Sequence, residues 1–211
     1  MKIAIIDSGI HLGHPHVGEI AGAVGIAPAG ENNDAIDRLG HGTAVAGAIR
    51  EKAPDAELYA VKVFDGRLTA NIGVILRALA WCRDHRMDLV NLSLGTENPA
   101  HRDSFLDVLG DDLLVVSAAN VLPGSLPEVI GVAPDPDCPR DAFRYHGGVF
   151  YASPYPRPIP GVPVARNLQG ISFAVANMTG LVARVLKNSS RSAIREALVV
   201  QAQDMISRGS V

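Results

Sequence analysis

Four polar residues could share one piece of chemistry. Asp7, His41 and Ser172 supply an acid, an imidazole and a hydroxyl, and Asn120 supplies a side-chain amide able to donate to a developing oxyanion. These are the parts of a nucleophilic hydrolase. A hydroxyl is a poor nucleophile until a neutral imidazole takes its proton, and the imidazole needs a buried carboxylate to fix its tautomer and stabilise the imidazolium. Each residue alone also suits a plain structural role: a turn cap for Asp7, a helix start for His41, an N-cap for Ser172, a turn for Asn120. The argument therefore rests on what brings the set together.

Short aliphatic runs alternate with helix-period segments. Lys2 to Ile6, Glu57 to Val63, Asp88 to Leu92, Leu113 to Ser117 and Val129 to Ala133 read as strands buried on both faces. Gly42 to Lys52, Asn71 to His85, Asp103 to Leu109, Ser172 to Leu186 and Ser192 to Ile206 read as helices. The alternation predicts an α/β fold, a three-layer sandwich with a mostly parallel central sheet flanked by helices. In such a sheet, ligands bind beyond the carboxyl ends of the strands. Asp7-Ser8-Gly9, Asn91-Leu92-Ser93-Leu94-Gly95 and Ala118-Ala119-Asn120 end three of the runs and belong on that edge. Leu39-Gly40-His41-Gly42 and Gln169-Gly170-Ile171-Ser172 each place a polar residue near glycine where a helix begins. Ten of the fourteen prolines fall between Pro123 and Pro163, which reads as long surface loops with one or two short antiparallel strands.

With 211 residues, the chain has the size of a single domain, 1–211. Apolar residues make up 47%, charged residues 19% and aromatics 5%, so the core must be aliphatic. Nineteen basic against twenty-two acidic side chains leave a net charge of −3, which demotes nucleic acid as a partner. The sequence has neither an apolar run of membrane-spanning length nor a signal-peptide pattern at its start, and the expected location is cytoplasmic. Cys82 and Cys138 lack motif spacing and read as free thiols.

On its motifs, the sequence resembles the subtilisin-like serine protease family along nearly its whole length. Ile3-Ala4-Ile5-Ile6-Asp7-Ser8-Gly9-Ile10 is similar to the family's Asp motif, with His14-Pro15 following. Gly40-His41-Gly42-Thr43-Ala44-Val45-Ala46-Gly47 is similar to its His motif, and Gly170-Ile171-Ser172-Phe173-Ala174 to its Ser motif. Tyr59-Ala60-Val61-Lys62-Val63 and Asn91-Leu92-Ser93-Leu94-Gly95 also look like family landmarks. The resemblance implies that Asp7 orients His41, that His41 acts as base and then acid, and that Ser172 attacks the scissile carbonyl. It implies an oxyanion site from Asn120 and the Ser172 amide, a substrate-pairing edge at Ser93, Leu94 and Gly95, and a side-chain pocket lined by Ala118 and Ala119.

The chain departs from the family pattern at Ala119, where a glycine is usual before the asparagine, at Ala176 and Asn177 in place of Pro-His, and at Ala44 in place of a second histidine. The segment Val121 to Pro127 is short, and Ala48 to Glu57 leaves no room for a calcium-binding insertion. Neither cofactor nor metal is expected, since His11-Leu12-Gly13-His14-Pro15-His16 matches no zinc spacing. Asp34 and Asp37 read as solvated loop charges, either of which could touch a basic substrate residue. With only six residues before Asp7, no prodomain is expected, so the chain folds unaided, is assisted by a partner or chaperone in trans, or is a mature part. The expected activity is that of an intracellular serine endopeptidase, and the compact loops and lack of a secretion signal point to limited processing of a peptide or protein substrate rather than bulk digestion. Its rival is a catalytically idle module of the same fold that binds peptides.

Overall fold

The computed structural model describes residues 1–111 and 113–208; the domain reading of 1–211 also takes in residues 112 and 209–211, which lie outside the described residues. β-Branched and aliphatic side chains alternate in β1 (Lys2–Asp7), sending Ile3 and Ile5 into one core and Ala4 and Ile6 into another. β1 is thus apolar on both sides, as a central parallel strand must be. It pairs in parallel with β4 (Glu57–Lys62), Ile3 opposite Leu58, and with β5 (Leu89–Leu92), Ile3 opposite Leu89. The sheet continues through β6 (Val115–Ala118), β7 (Ile130–Pro134) and β9 (Val149–Ala152), all parallel. β8 (Phe143–His146) closes that side antiparallel to β9. These last two are the short antiparallel strands expected in the proline-rich stretch.

Two strands went unforeseen. β2 (Gly22–Ala27) pairs in parallel with β4, and β3 (Gly30–Asn32) closes the opposite edge antiparallel to β2. The strand order is β3-β2-β4-β1-β5-β6-β7-β9-β8. Glycines hid β2, and they are there for space: a Cβ on Gly22 would press into the Tyr59 ring, and one on Gly25 would overlap the Asn32 side chain and the Asp34 carbonyl.

Helices α1 (His41–Lys52) and α4 (Ile171–Leu186) cover one face, and α2 (Ile72–Asp84) and α3 (Arg102–Leu109) the other. α4 is buried without interruption from Phe173 to Ala183, as an all-round apolar helix should be. It lies directly on α1, where a Cβ on Gly180 would press against the Lys52 side chain. α5 (Ile194–Arg208) packs its Ile194, Leu198 and Ala202 onto the same core. The parallel run of β1, β5 and β6 puts Asp7, Leu92 and Ala118 at one edge of the sheet, where the starts of α1 and α4 also arrive.

Candidate active site

Asp7 ends β1 with its side chain fully buried. Its Oδ1 accepts the Ser8 amide at 2.7 Å and His41 Nδ1 at 2.7 Å. A carboxylate can only accept, so Nδ1 carries the proton and Nε2 of the neutral ring keeps its lone pair outward. Asp7 Oδ2 is buried without a protein donor. Burial pulls the His41 pKa down, but the hydrogen bond to Asp7, the charge of Asp7 and the charge of Asp37 outweigh it and hold the imidazole above its ordinary 6.5.

The first turn of α1 fixes that imidazole. Helix starts leave amides without intrahelical partners, and here two side chains from outside the helix take them. Ser8 Oγ accepts the Gly42 amide at 2.9 Å, and Asp37 Oδ2 accepts the Thr43 amide at 2.8 Å. Ser8 Oγ in turn donates to Asp37 Oδ1 at 2.9 Å, and Thr43 Oγ1 donates to Asp37 Oδ2 at 2.6 Å. Leu39 and Gly40 amides complete the shell of Asp37, each at 2.9 Å. Burial works to raise the Asp37 carboxyl, yet these bonds, led by Thr43, hold it below the usual range. Asp37 is therefore no solvated loop charge, whereas Asp34 keeps much of its side chain in solvent and pairs there with Arg38 and Lys62. Gly40 turns the chain at φ 76°, and a Cβ on Gly42 would overlap the Gly9 carbonyl oxygen. Only glycine at 42 lets α1 close onto the end of β1.

Ser172 stands in the first turn of α4. Gly170 precedes it at φ 142°, and no side chain caps the helix. The first bonds of the turn run from the Phe173 and Ala174 amides to Gly170 O, which leaves the Ser172 amide at an open helix end. The Phe173 ring lies against the His41 ring, centroids 5.6 Å apart, and so brings the start of α4 to the Asp7–His41 pair. A chain of side chains ties α4 to β5: Thr179 Oγ1 donates to Asn91 Oδ1 at 3.0 Å, and Asn91 Nδ2 donates to Ser93 Oγ at 3.1 Å. Ser93 Oγ then reaches the Ser172 carbonyl at 3.4 Å. Asn177 donates to the carbonyls of Ser153 and Tyr155, pinning the proline-rich segment to α4.

Asn120 follows β6 and is exposed. With Ala119, Tyr151 and Ile171, the residue before Ser172, it lines a cavity of about 470 Å³. Ala118 does not line it. Its side chain belongs to the α1/α4 core, and Gly124 packs directly on its backbone. Ser93 and Leu94 are half-buried and Gly95 is exposed. Behind them, the amide and carbonyl of Thr96 both bond to Leu122, at 2.9 Å each, and Val121 and Leu122 fill the space a Cβ on Gly95 would need. The short segment after Asn120 has folded back to close that side.

Sequence reasoning missed Ser8, Asp37 and Thr43. The available signal was an Asp-x-x-x-His-x-Thr spacing, an acid that can reach the helix start bearing the histidine. Among the described residues, no group of three or more His, Cys, Asp or Glu side chains is placed to hold a metal ion.

A mostly parallel sheet with an Asp–His pair at its carboxyl edge and a serine at a facing helix start defines the subtilase class. The Subtilase family matches residues 1–134, and the chain belongs to it. That match takes in Asp7, His41, Ser93 to Gly95 and Asn120, and stops before Ser172. Among curated relatives, Subtilisin E of Bacillus subtilis (strain 168) is 29% identical over 204 residues, covering 86% of this chain and 52% of its own length. M-protease of Shouchella clausii (strain KSM-K16) is 30% identical over 223 residues, covering 92% and 56%. The chain thus spans about half the length of these relatives. Minor extracellular protease Epr of Bacillus subtilis (strain 168) is 39% identical over 105 residues, or 46% of this chain.

Proposed function

We propose that residues 1–211 form one serine endopeptidase domain that hydrolyses peptide bonds through an acyl-enzyme. One observation carries the reading: a fully buried carboxylate, Asp7, holds His41 Nδ1 at 2.7 Å beside the helix start that bears Ser172. In the proposed reaction, His41 Nε2 takes the Ser172 Oγ proton as Oγ bonds to the scissile carbonyl carbon. The carbonyl oxygen becomes an oxyanion, received by the Ser172 amide and the Asn120 side chain. The imidazolium then returns its proton to the departing amine, the C–N bond breaks, and water repeats the cycle to free the acid. This chemistry itself calls for neither metal nor cofactor.

The proposed substrate is a peptide or protein cut at few sites, which fits a substrate edge backed by Val121 and Leu122 rather than an open groove. A reducing compartment such as the cytoplasm suits two cysteines that are buried and unpaired. Among the described residues, no helix is long and apolar enough to cross a membrane. The test is intact-mass spectrometry after incubation with a fluorophosphonate. One adduct is expected on the native protein and none on Ser172→Ala. Absence of an adduct on both overturns the peptidase and leaves the peptide-binding module, which Ala119 before Asn120 and Ala176 in the Ser172 helix favour.

A further inference from the structure

A cleft of about 510 Å³ opens beside the first turn of α1. Gly40, Thr43 and Ala44 form its α1 wall, and Arg157, Arg166 and Leu168 of the proline-rich segment face them. His11, His14 and His16 line it from the loop after β1. The cavity at Asn120 shares no lining residue with it. Small residues at 40 and 44 give the cleft its depth.

Its charge is one-sided. Two guanidinium groups line the space beside three imidazoles, and the single acid among its walls, Asp37, is enclosed by donors from Ser8, Leu39, Gly40 and Thr43. Among the described residues, neither Arg157 nor Arg166 has a carboxylate partner, whereas Arg38, Arg140 and Arg144 are all ion-paired. The Arg157 guanidinium donates from Nη1 to the His16 carbonyl at 3.2 Å, which ties it to the histidine wall of the cleft. The nearby Glu51 is held by Arg140 and Lys52. The His16 imidazole registers the field: burial, then Arg157 and His14, push its pKa down against the pull of Glu51.

We propose that this cleft binds a carboxylate of the substrate on the leaving-group side of the scissile bond, with Arg157 and Arg166 as its specificity-determining cations. The direction rests on the peptidase reading. His41 must hand its proton to the departing amine, and the cleft begins at Gly40 and Thr43 on either side of His41, while the oxyanion lies toward Asn120. Guanidinium groups suit this ligand because their planar donors match a carboxylate. Exposed Ile159 and Leu168 at the rim supply apolar contact for the rest of the bound chain.

The test is binding of fluorescent peptides to the Ser172→Ala protein, so that recognition is read without turnover. Peptides with amidated C-termini carry Asp, Asn or Lys at successive positions after the site cut in the native protein, or after a fixed central bond if none is cut. A matching set carries a free C-terminal carboxylate, to separate a side-chain ligand from a chain end. One acidic peptide is expected to bind about tenfold more tightly than its Asn counterpart, the size of one charge-assisted hydrogen bond. The preference shrinks as salt rises. Arg166→Gln, at an exposed position whose side chain has no carboxylate partner among the described residues, is expected to bring the ratio toward one, and Arg166→Lys to keep part of it. Equal binding of Asp, Asn and Lys peptides at every position, or no measurable binding of any, overturns the proposal. Turnover without acid preference defeats this inference alone. Acid preference without a fluorophosphonate adduct defeats the peptidase reading while the carboxylate site stands.

Discussion

Two helix N-termini meet at the carboxyl edge of the sheet, and they are finished in opposite ways. The start of α1 is sealed: Ser8 and Asp37 take the Gly42 and Thr43 amides, and the loop before it is bonded to the same carboxylate. The start of α4 is open, entered through Gly170 with no side-chain cap. The difference follows the work each is proposed to do. The imidazole of His41 must hold one orientation through the reaction, so side chains take the two amides that follow it. The helix of Ser172 must receive a negative charge that exists only in the transition state, and unsatisfied amides with a helix dipole behind them provide for it.

The largest effects come from breaking the reactive set itself. Ser172→Ala is expected to lower kcat by on the order of 10⁴ or more and to remove the fluorophosphonate adduct, with thermal stability unchanged. Asp7→Asn should cost about 10⁴ in kcat by favouring the wrong imidazole tautomer. Steady-state kinetics on one peptide checks both. Comparable turnover in Asp7→Asn would mean that the buried carboxylate is structural.

Asn120→Ala probes the open side. It is expected to lower kcat about 10²- to 10³-fold with KM and melting temperature little changed, because an exposed amide supports no fold contact. Asp37→Ala probes the sealed side and should do the reverse in kind. It leaves donors of Ser8, Thr43 and two amides unsatisfied, costing on the order of 1–3 kcal/mol, readable as a lower urea midpoint. If Asn120→Ala destabilised and Asp37→Ala did not, the contrast between the two helix starts would collapse.

Protons give the smallest and most graded effect. Because Asp7 and Asp37 raise the His41 pKa, turnover is expected to fall with acid through a midpoint above 6.5, since the base must be neutral. For stability the sign reverses: a raised folded pKa contributes below the ordinary value and is lost as pH rises through the folded one. Asp37 acts oppositely. Its depressed carboxyl stabilises the fold above about 3.8, and that contribution goes as pH falls through the lower folded value. A kcat/KM profile together with melts across pH separates the two.

Much of this was legible because each signal was local. Aliphatic runs marked β1, β4, β5, β6 and β7, and glycine next to a polar residue marked the starts of α1 and α4. β2 was hidden because its glycines answer to Tyr59 and Asn32, neighbours only in space. The role of Asp37 was hidden for a related reason: a loop acid and a buried helix cap look alike until the chain is closed around them. A strand's alternation also decides sides, and Val116 and Ala118 share the core-facing register. Pocket walls depend on loop paths, and nothing in Val121 to Pro127 announces that Leu122 will bond back to Thr96.

The burial of α4 has a consequence in time. This helix is the filling of the α1 side of the sheet, yet its contacts reach back across the chain, as where Arg184 bonds to the Lys52 carbonyl 132 residues earlier. Parallel pairing of β1 with β5 is likewise non-local. Folding must therefore close long loops before the stabilising contacts repay the lost chain entropy, which makes it slow. Until α4 arrives, α1 and the β1 strand present bare aliphatic surface, so a nascent or refolding chain is most exposed to aggregation in that interval. The helix that bears Ser172 is thus also the largest piece of that core to come late in the chain, with only α5 after it, and reactivity and compactness should emerge together.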